Sequence, residues 1–506
     1  MAATTNATPS VSNGNTPPIP IQLWSSQKRH FQLVSEILKT NHAYLDTSPM
    51  GAGKTVVTLA IAAIHGLDLF VVCPKSTASM WKKEANKYGV RVRSIMTYQM
   101  LTGTTSGGCN HAFLRRNDDM FIPTGNLQQI IGERTLFVFD EMHALKNPGT
   151  GVIKASHAVI KEVVRLNCGS RVALLSATPC DKEIHAQNVL KMLGIIIDDD
   201  LYHYDLYTKT YEPLGISELI SRCDSLDRVT SESIHSGIVI NNKTSNKLCY
   251  DLFVHVVKNF CSSSMELPSI DSEKDAMNGY YWMPNNDVIE LQRGVDLLSS
   301  STQFDESTGN VNIGKGSFGM ITTALIMIEK AKLNTMFRLA RETLEADPNC
   351  KVILYVWFID SIKTLDAQLK EYAPMYMYGD TKAEERDNIV SKFQEENTNH
   401  RLLISNAKVG GIGISLDDRC GKHKRHLFMI PSYNFIDLHQ ATGRIHRGTT
   451  KSTAHIRFVY SKDFTQENSI LNAIAKKSQV TKSMLFKEDG IKFPGDYPSF
   501  VEDRDS

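Results

Sequence analysis

Three short strings carry residues whose types and spacing fit one piece of chemistry, the transfer of a phosphoryl group to water. The first is Ser48-Pro-Met-Gly-Ala-Gly-Lys-Thr55. Gly51 and Gly53 allow the backbone to curl so that its N–H groups face phosphate oxygens, and a helix is predicted to start directly afterwards. Lys54 is then placed to reach the outer phosphates of ATP and Thr55 to offer its hydroxyl to Mg2+. Ser48 occupies a position where the strict pattern has glycine. The second string is Asp140-Glu-Met-His143. It follows a buried apolar run, where Asp140 can order the metal through its bound water and Glu141 can polarise the attacking water. An acid-rich helix start is the plainer alternative for these two carboxylates. The third is His439-Gln-Ala-Thr-Gly-Arg-Ile-His-Arg447, in which Arg444 and Arg447 lie three apart and would share one face of a helix. A basic surface pair is the alternative there.

The elements that must position these strings are legible as alternating apolar runs and helical segments. From Gln22 to Leu193 the pattern is that of a parallel sheet with helices on both faces, with buried strands at Leu67–Cys73, Thr135–Phe139 and Arg171–Leu175. Each run ends in a polar or small-residue cluster: Pro74-Lys-Ser, Asp140-Glu-Met-His and Ser176-Ala-Thr-Pro. Ligand sites gather at the carboxyl ends of such strands, so these clusters should converge on the glycine-rich loop. A second α/β run has strands at Lys351–Trp357, Arg401–Ile404, His426–Ile430 and His455–Tyr460, with a helix over Thr381–Gln394. Between the two runs lies an irregular stretch containing Tyr280-Tyr281-Trp282. Those aromatics are expected to pack this stretch onto a lobe, with base stacking or a wedge as the alternative.

At 506 residues the chain suits two or three domains, since single cores stop growing at roughly 250–300 residues. Its 56 Lys plus Arg nearly cancel its 55 Asp plus Glu, so any nucleic-acid contact must be a local groove rather than a global basic field. The nine cysteines form no Cys-x-x-Cys pair or zinc-spaced cluster, which fits a reduced intracellular protein without structural zinc. No apolar run reaches the roughly 18 residues of a membrane span. Residues 1–20 are polar and lack a signal-peptide pattern, and are expected to be a disordered leader.

Taken in order, these strings resemble the motifs of a superfamily-two helicase or translocase. Ser176-Ala-Thr178 is similar to motif III, Val409-Gly-Gly-Ile-Gly-Ile-Ser415 to motif V, and the arginine string, with its Gln-x-x-Gly-Arg-x-x-Arg spacing, to motif VI. Finer details resemble the Swi/Snf-like ATPase group: Met50-Gly-Ala-Gly-Lys-Thr55, Pro74 followed by Trp81-Lys-Lys-Glu84, Thr97-Tyr-Gln-Met100, and Asp140-Glu-Met-His-Ala-Leu-Lys-Asn147. The chain is also similar to poxvirus nucleoside triphosphate phosphohydrolases. Ser176-Ala-Thr-Pro179 departs from the Thr-Gly-Thr-Pro of the remodellers.

The resemblance implies two tandem RecA-like α/β lobes with an inserted, mainly helical segment between them. Expected boundaries are 1–20 leader, 21–195 first lobe, 196–330 insertion and linker, 331–480 second lobe and 481–506 tail. It implies that Met50, Gly51, Ala52, Gly53, Lys54, Thr55 and Gly413 bind ATP, that Gln27 recognises adenine, and that Thr55 and Asp140 hold Mg2+. Lys54, Asp140 and Glu141 would be catalytic, and Arg444 and Arg447 would act as arginine fingers on the γ-phosphate. His143, Ser176, Thr178 and Gln440 would couple the ATP pocket to nucleic acid gripped by Lys75, Ser76, Thr97, Gly379, Gly410 and Gly411. The expected activity is ATP-driven movement along duplex DNA. An RNA helicase or transcription-release ATPase on the same fold, and a catalytically silent scaffold for a polymerase or chromatin-like partner, are the rivals. A soluble, monomeric, virus-encoded motor is compatible with the size and polar leader.

Overall fold

The computed structural model describes residues 20–103, 112–205, 207–238, 241, 244–267, 270, 272–305, 310–313, 318–410, 414–432, 434–464, 480–485 and 494–503. The continuous apolar runs form two all-parallel sheets, because strands covered by helices on both faces need no alternating polar side. The first sheet has the order Ser262–Ser263, Ala43–Asp46, Arg171–Leu175, Thr135–Asp140, Asp68–Cys73, Val92–Thr97. The strand leading into the glycine-rich loop pairs in register with Arg171–Leu175, which in turn pairs with Thr135–Asp140, so Asp46, Leu175 and Asp140 end level with one another. That alignment sets three of the predicted clusters side by side.

The second sheet has the order Met375–Met377, Leu402–Asn406, Lys351–Val356, Arg425–Met429, Ala454–Ser461, Lys274–Tyr281, Ser499–Val501. Its interior is built by Ile353, Tyr355, Leu403, Leu427, Met429, Ile456 and Phe458 on one face and Val352, Leu354, Leu402, Ile404 and Val459 on the other. The two faces bury against different helices, as a doubly covered sheet requires. The chain thus has two lobes, each built on a parallel sheet covered by helices. No helix among the described residues is long and apolar enough to cross a membrane.

The structure divides the segment expected as an insertion. Helices Gly215–Leu226, Arg228–His235 and Ser245–Leu252 bury Ile216, Leu219, Leu248 and Leu252 in the core of the first lobe. Lys274–Tyr281 pairs along its whole length with Ala454–Ser461 and is a strand of the second sheet. The aromatic triplet therefore belongs to the second lobe itself: Tyr280 stacks on Tyr460, Tyr281 is buried, and Trp282 donates Nε1–H to Glu502 O at 3.0 Å. The second sheet thus includes a strand that precedes residue 331 in the chain. Its partner lies so far along the chain that local periodicity carries no trace of the pairing.

Candidate nucleotide site between the lobes

The glycine-rich loop leaves the strand Ala43–Asp46 and closes into the helix Lys54–His65. Gly51 (φ +83°) and Gly53 (φ +91°) take left-handed conformations that favour glycine. A side chain at Gly53 would also meet Gln27 Nε2 at 2.4 Å. Gln27 is buried against the glycine-rich loop, accepting from Trp24 N at 3.0 Å and donating to Ala52 O at 3.0 Å. Lys54 Nζ curls back to Ser48 O at 2.8 Å and Pro49 O at 3.3 Å, the centre of the turn a phosphate would fill. The glycine cradle, the helix start and this lysine fit a nucleotide triphosphate. Thr55, second in the helix, and Asp140 are oxygen donors of the hard type that suits Mg2+.

Ser48 has its own explanation. Its hydroxyl is buried and accepts from Met265 N at 2.8 Å, while its N–H donates to Asp46 Oδ1 at 2.8 Å. Asp46 Oδ2 lies 3.0 Å from His30 Nε2, and His30 Nδ1 lies 2.9 Å from Ser263 Oγ. Serine thus pins the loop to the chain segment that leaves the first sheet, a contact glycine could not make.

Asp140 ends its strand with its carboxylate buried. Trp81 Nε1 donates to Oδ2 at 2.9 Å, and Tyr98 OH donates to the Asp140 carbonyl at 2.8 Å. A hydrogen bond to a charged group of this kind contributes roughly 1.5–3 kcal/mol. Burial, then the charge of Glu141, push the Asp140 carboxyl up to about 6. Glu141 adopts φ +53°, which breaks the strand alternation that would send neighbouring side chains to opposite faces. Burial acts on Glu141 in the same upward direction, yet the adjacent His143 imidazole and the Lys54 and Arg444 cations hold it down at about 2. His143 Nδ1 stands 3.3 Å from Glu141 Oε2, and Gln440 Nε2 from the second lobe donates to the same oxygen at 3.2 Å.

The second half-site comes from the helix Phe435–Thr442 and the turn after it. Arg444 and Arg447 were expected to share a helix face; instead the helix ends at Thr442, and both arginines lie in the turn beyond Gly443. They converge all the same, because Arg444 Nη1 (3.4 Å) and Arg447 Nη2 (2.9 Å) both donate to Ile414 O. Gly443 lets the loop Met50 approach closely: a Cβ there would lie 2.6 Å from Met50 Cε. Arg444 Nη2 is 3.7 Å from Met50 Sδ, and the Arg447 side chain runs beside Gly51. Burial, then the neighbouring Arg444, push the Arg447 guanidinium down to about 9, and no carboxylate among the described residues comes within ion-pair distance of it. A buried cation whose hydrogen bonds among the described residues go to the carbonyls of Gly443 and Ile414 is suited to an anion arriving between the lobes.

Of the coupling candidates, His143 and Gln440 meet at Glu141, whereas Ser176 N donates to Asp46 O at 3.1 Å and Thr178 N to Ser176 Oγ at 3.2 Å beside the glycine-rich loop. Lys75 is exposed and Ser76 half-buried in the turn after Asp68–Cys73. Thr97 ends its strand and its hydroxyl accepts from Met100 N at 3.1 Å. Gly379 lines a cleft of about 450 Å³ with Lys330, Trp357, Asn406 and Lys408, at the carboxyl ends of Lys351–Val356 and Leu402–Asn406. Gly410 closes the short helix Ala407–Gly410; Gly411 and Gly413 lie outside the described residues. Sequence reasoning missed Lys330 and Lys408, isolated lysines without motif context, and the cross-lobe contact of Met50. Trp81 was visible only as motif spacing. A separate groove of about 830 Å³ on the first lobe lies away from these groups, and the Lys161–Asp199 pair at 2.7 Å and the Lys154–Asp119 pair keep it near charge balance.

Residues 332–449 match the helicase conserved C-terminal domain. The chain is similar to a putative ATP-dependent RNA helicase of Acanthamoeba polyphaga mimivirus, 26% identical over 476 residues that cover 90% of this chain and 82% of the relative. A probable global transactivator of Orgyia pseudotsugata multicapsid polyhedrosis virus is 23% identical over 448 residues, covering 85% and 83%. A Caenorhabditis elegans homologue of SWI/SNF-related matrix-associated actin-dependent regulator of chromatin subfamily A-like protein 1 is 20% identical over 461 residues, covering 88% of this chain and 59% of that one. Among solved structures, the Sulfolobus solfataricus SWI2/SNF2 ATPase core in complex with dsDNA covers 94% of this chain and 97% of its own, at 17% identity and a TM-score of 0.32.

Proposed function

We propose that the chain is a helicase-type, ATP-dependent nucleic-acid motor that translocates along double-stranded DNA by alternating grip of its two lobes. The observation that carries this is the hydrogen bond from Gln440 to Glu141, which joins the expected water-polarising carboxylate of one lobe to the helix that leads into the arginine turn of the other. Closure of the cleft would then complete the site, and reopening would move one grip relative to the other.

Lys54 would leave the carbonyls of Ser48 and Pro49 for the outer phosphates, and Arg444 and Arg447 would leave Ile414 O for the γ-phosphate. Glu141, ionised and steadied by His143 and Gln440, would orient the attacking water and take up its proton. Thr55 and Asp140 would hold Mg2+, which neutralises charge on the β- and γ-oxygens when bound. The expected grip consists of lysines and glycine amides at strand ends, suited to phosphates rather than bases. Trp357, which lines the cleft with Gly379, donates its indole N–H to Ile430 O at 2.8 Å. Target choice would come from a partner, such as a polymerase or chromatin-like assembly, or from the segment at 196–330.

One observation favours a second reading, an RNA helicase: the mimivirus relative bearing that description aligns over 90% of this chain. ATP turnover measured with duplex DNA, single-stranded DNA and RNA separates the two. Duplex DNA is expected to raise kcat by about tenfold or more, a barrier change of about 1.4 kcal/mol. Stimulation by RNA alone would overturn duplex translocation, and no turnover with any polymer would favour a silent scaffold.

A further inference from the structure

The turn that carries the two arginines is laid along residues 414–418 and fastened at several points. Leu416 N donates to Arg444 O at 2.9 Å, and Lys451 N donates to Asp418 O at 2.8 Å. Between these contacts sits Asp417, fully buried. Its Oδ1 accepts from Ser415 Oγ at 2.9 Å and its Oδ2 from Thr449 Oγ1 at 2.5 Å. Thr449 is exposed and lies in the turn 447–450, where Arg447 N donates to Thr450 Oγ1 at 2.7 Å and Thr450 N to Arg447 O at 3.0 Å. The side chain of Thr449 is thus the link between that closed turn and the buried carboxylate.

We propose that Asp417 and Thr449 are positioning residues for Arg447, holding its turn in register with the strip 414–418 whose Ile414 carbonyl receives its guanidinium. A buried carboxylate is costly unless fully hydrogen-bonded, and a neutral acceptor would fasten the turn as well. The charge has separate uses: Arg419 Nε lies 3.5 Å from Asp417 Oδ1, and at longer range the Asp417 carboxylate attracts the Arg447 guanidinium and partly offsets the repulsion from Arg444. Ser415 ends the glycine-rich string Val409–Ser415, so the same carboxylate ties the arginine turn to the segment expected to grip phosphate. A pull on either is felt at the other.

This inference rests on the arginine-finger reading of Arg447, and its test keeps the two apart. Thr449→Val and Thr449→Ser are compared with wild type and with Arg447→Ala for kcat, KM for ATP and melting temperature. Thr449 is exposed, so both variants are expected to fold. Thr449→Val is expected to lose about tenfold in kcat with KM changed less than about twofold, and Thr449→Ser, which keeps the hydroxyl, to restore it. Wild-type kcat in Thr449→Val beside a strongly impaired Arg447→Ala would overturn the positioning role alone. A parallel loss of kcat, KM and melting temperature would reduce it to a structural contact. Unimpaired Arg447→Ala would remove the finger and this inference with it.

Discussion

Arg447→Ala is expected to lower kcat by about 10³-fold, the low end of the range for removal of an arginine finger, and to change the nucleotide dissociation constant by no more than about threefold. The asymmetry follows from where the contacts lie. Gln27, Lys54 and the glycine cradle belong to the first lobe and would bind nucleotide whether or not the cleft closes. Arg447 donates to the carbonyls of Gly443 and Ile414 within its own lobe, so its attraction to phosphate would be realised only on closure, when charge develops on the transferring group. Lysine is not expected to rescue it, because an ammonium cannot reproduce the planar fork that reaches both carbonyls. Equal losses in affinity and kcat, measured with a fluorescent ATP analogue and a phosphate-release assay, would mean that Arg447 merely binds nucleotide.

Glu141→Gln is expected to lower kcat by about 10²–10³-fold while nucleotide stays bound. The substitution is isosteric, and a glutamine oxygen can still accept from Gln440, so the contact between lobes survives. What disappears is the charge. His143, Lys54 and Arg444 hold Glu141 ionised against the cost of burial, while its neighbour Asp140 is pushed the other way. Adjacent carboxylates driven apart in this manner divide their tasks, one taking the metal and the other the water. Near-normal turnover by Glu141→Gln would place water activation on another group.

The parts of this site that the sequence made visible are those fixed by local chemistry. Leu67–Cys73 and Thr135–Phe139 are predominantly apolar runs, and the strands Asp68–Cys73 and Thr135–Asp140 lie where those runs predict. The glycines at 51 and 53 announce their left-handed backbone through residue type. What stayed hidden depends on distant partners. Ala43–Asp46 is too short for periodicity to register, and Lys274–Tyr281 acquires its place only by pairing with Ala454–Ser461. The spacing of Arg444 and Arg447 fits a helix face, but Gly443 ends the helix, and the two converge through the shared Ile414 carbonyl. Ser48 looks like a flaw in the loop pattern until Met265 is found donating to its hydroxyl. Asp417 and Thr449 belong to no motif, and their pairing is a property of the folded turn.

Displacement of a third strand from a DNA triplex tests most directly whether the split site drives movement along duplex DNA. With ATP, the wild-type protein is expected to release the third strand without separating the underlying duplex, and Glu141→Gln to release none. ATP-dependent separation of an RNA duplex, with the third strand left in place on DNA, would contradict it.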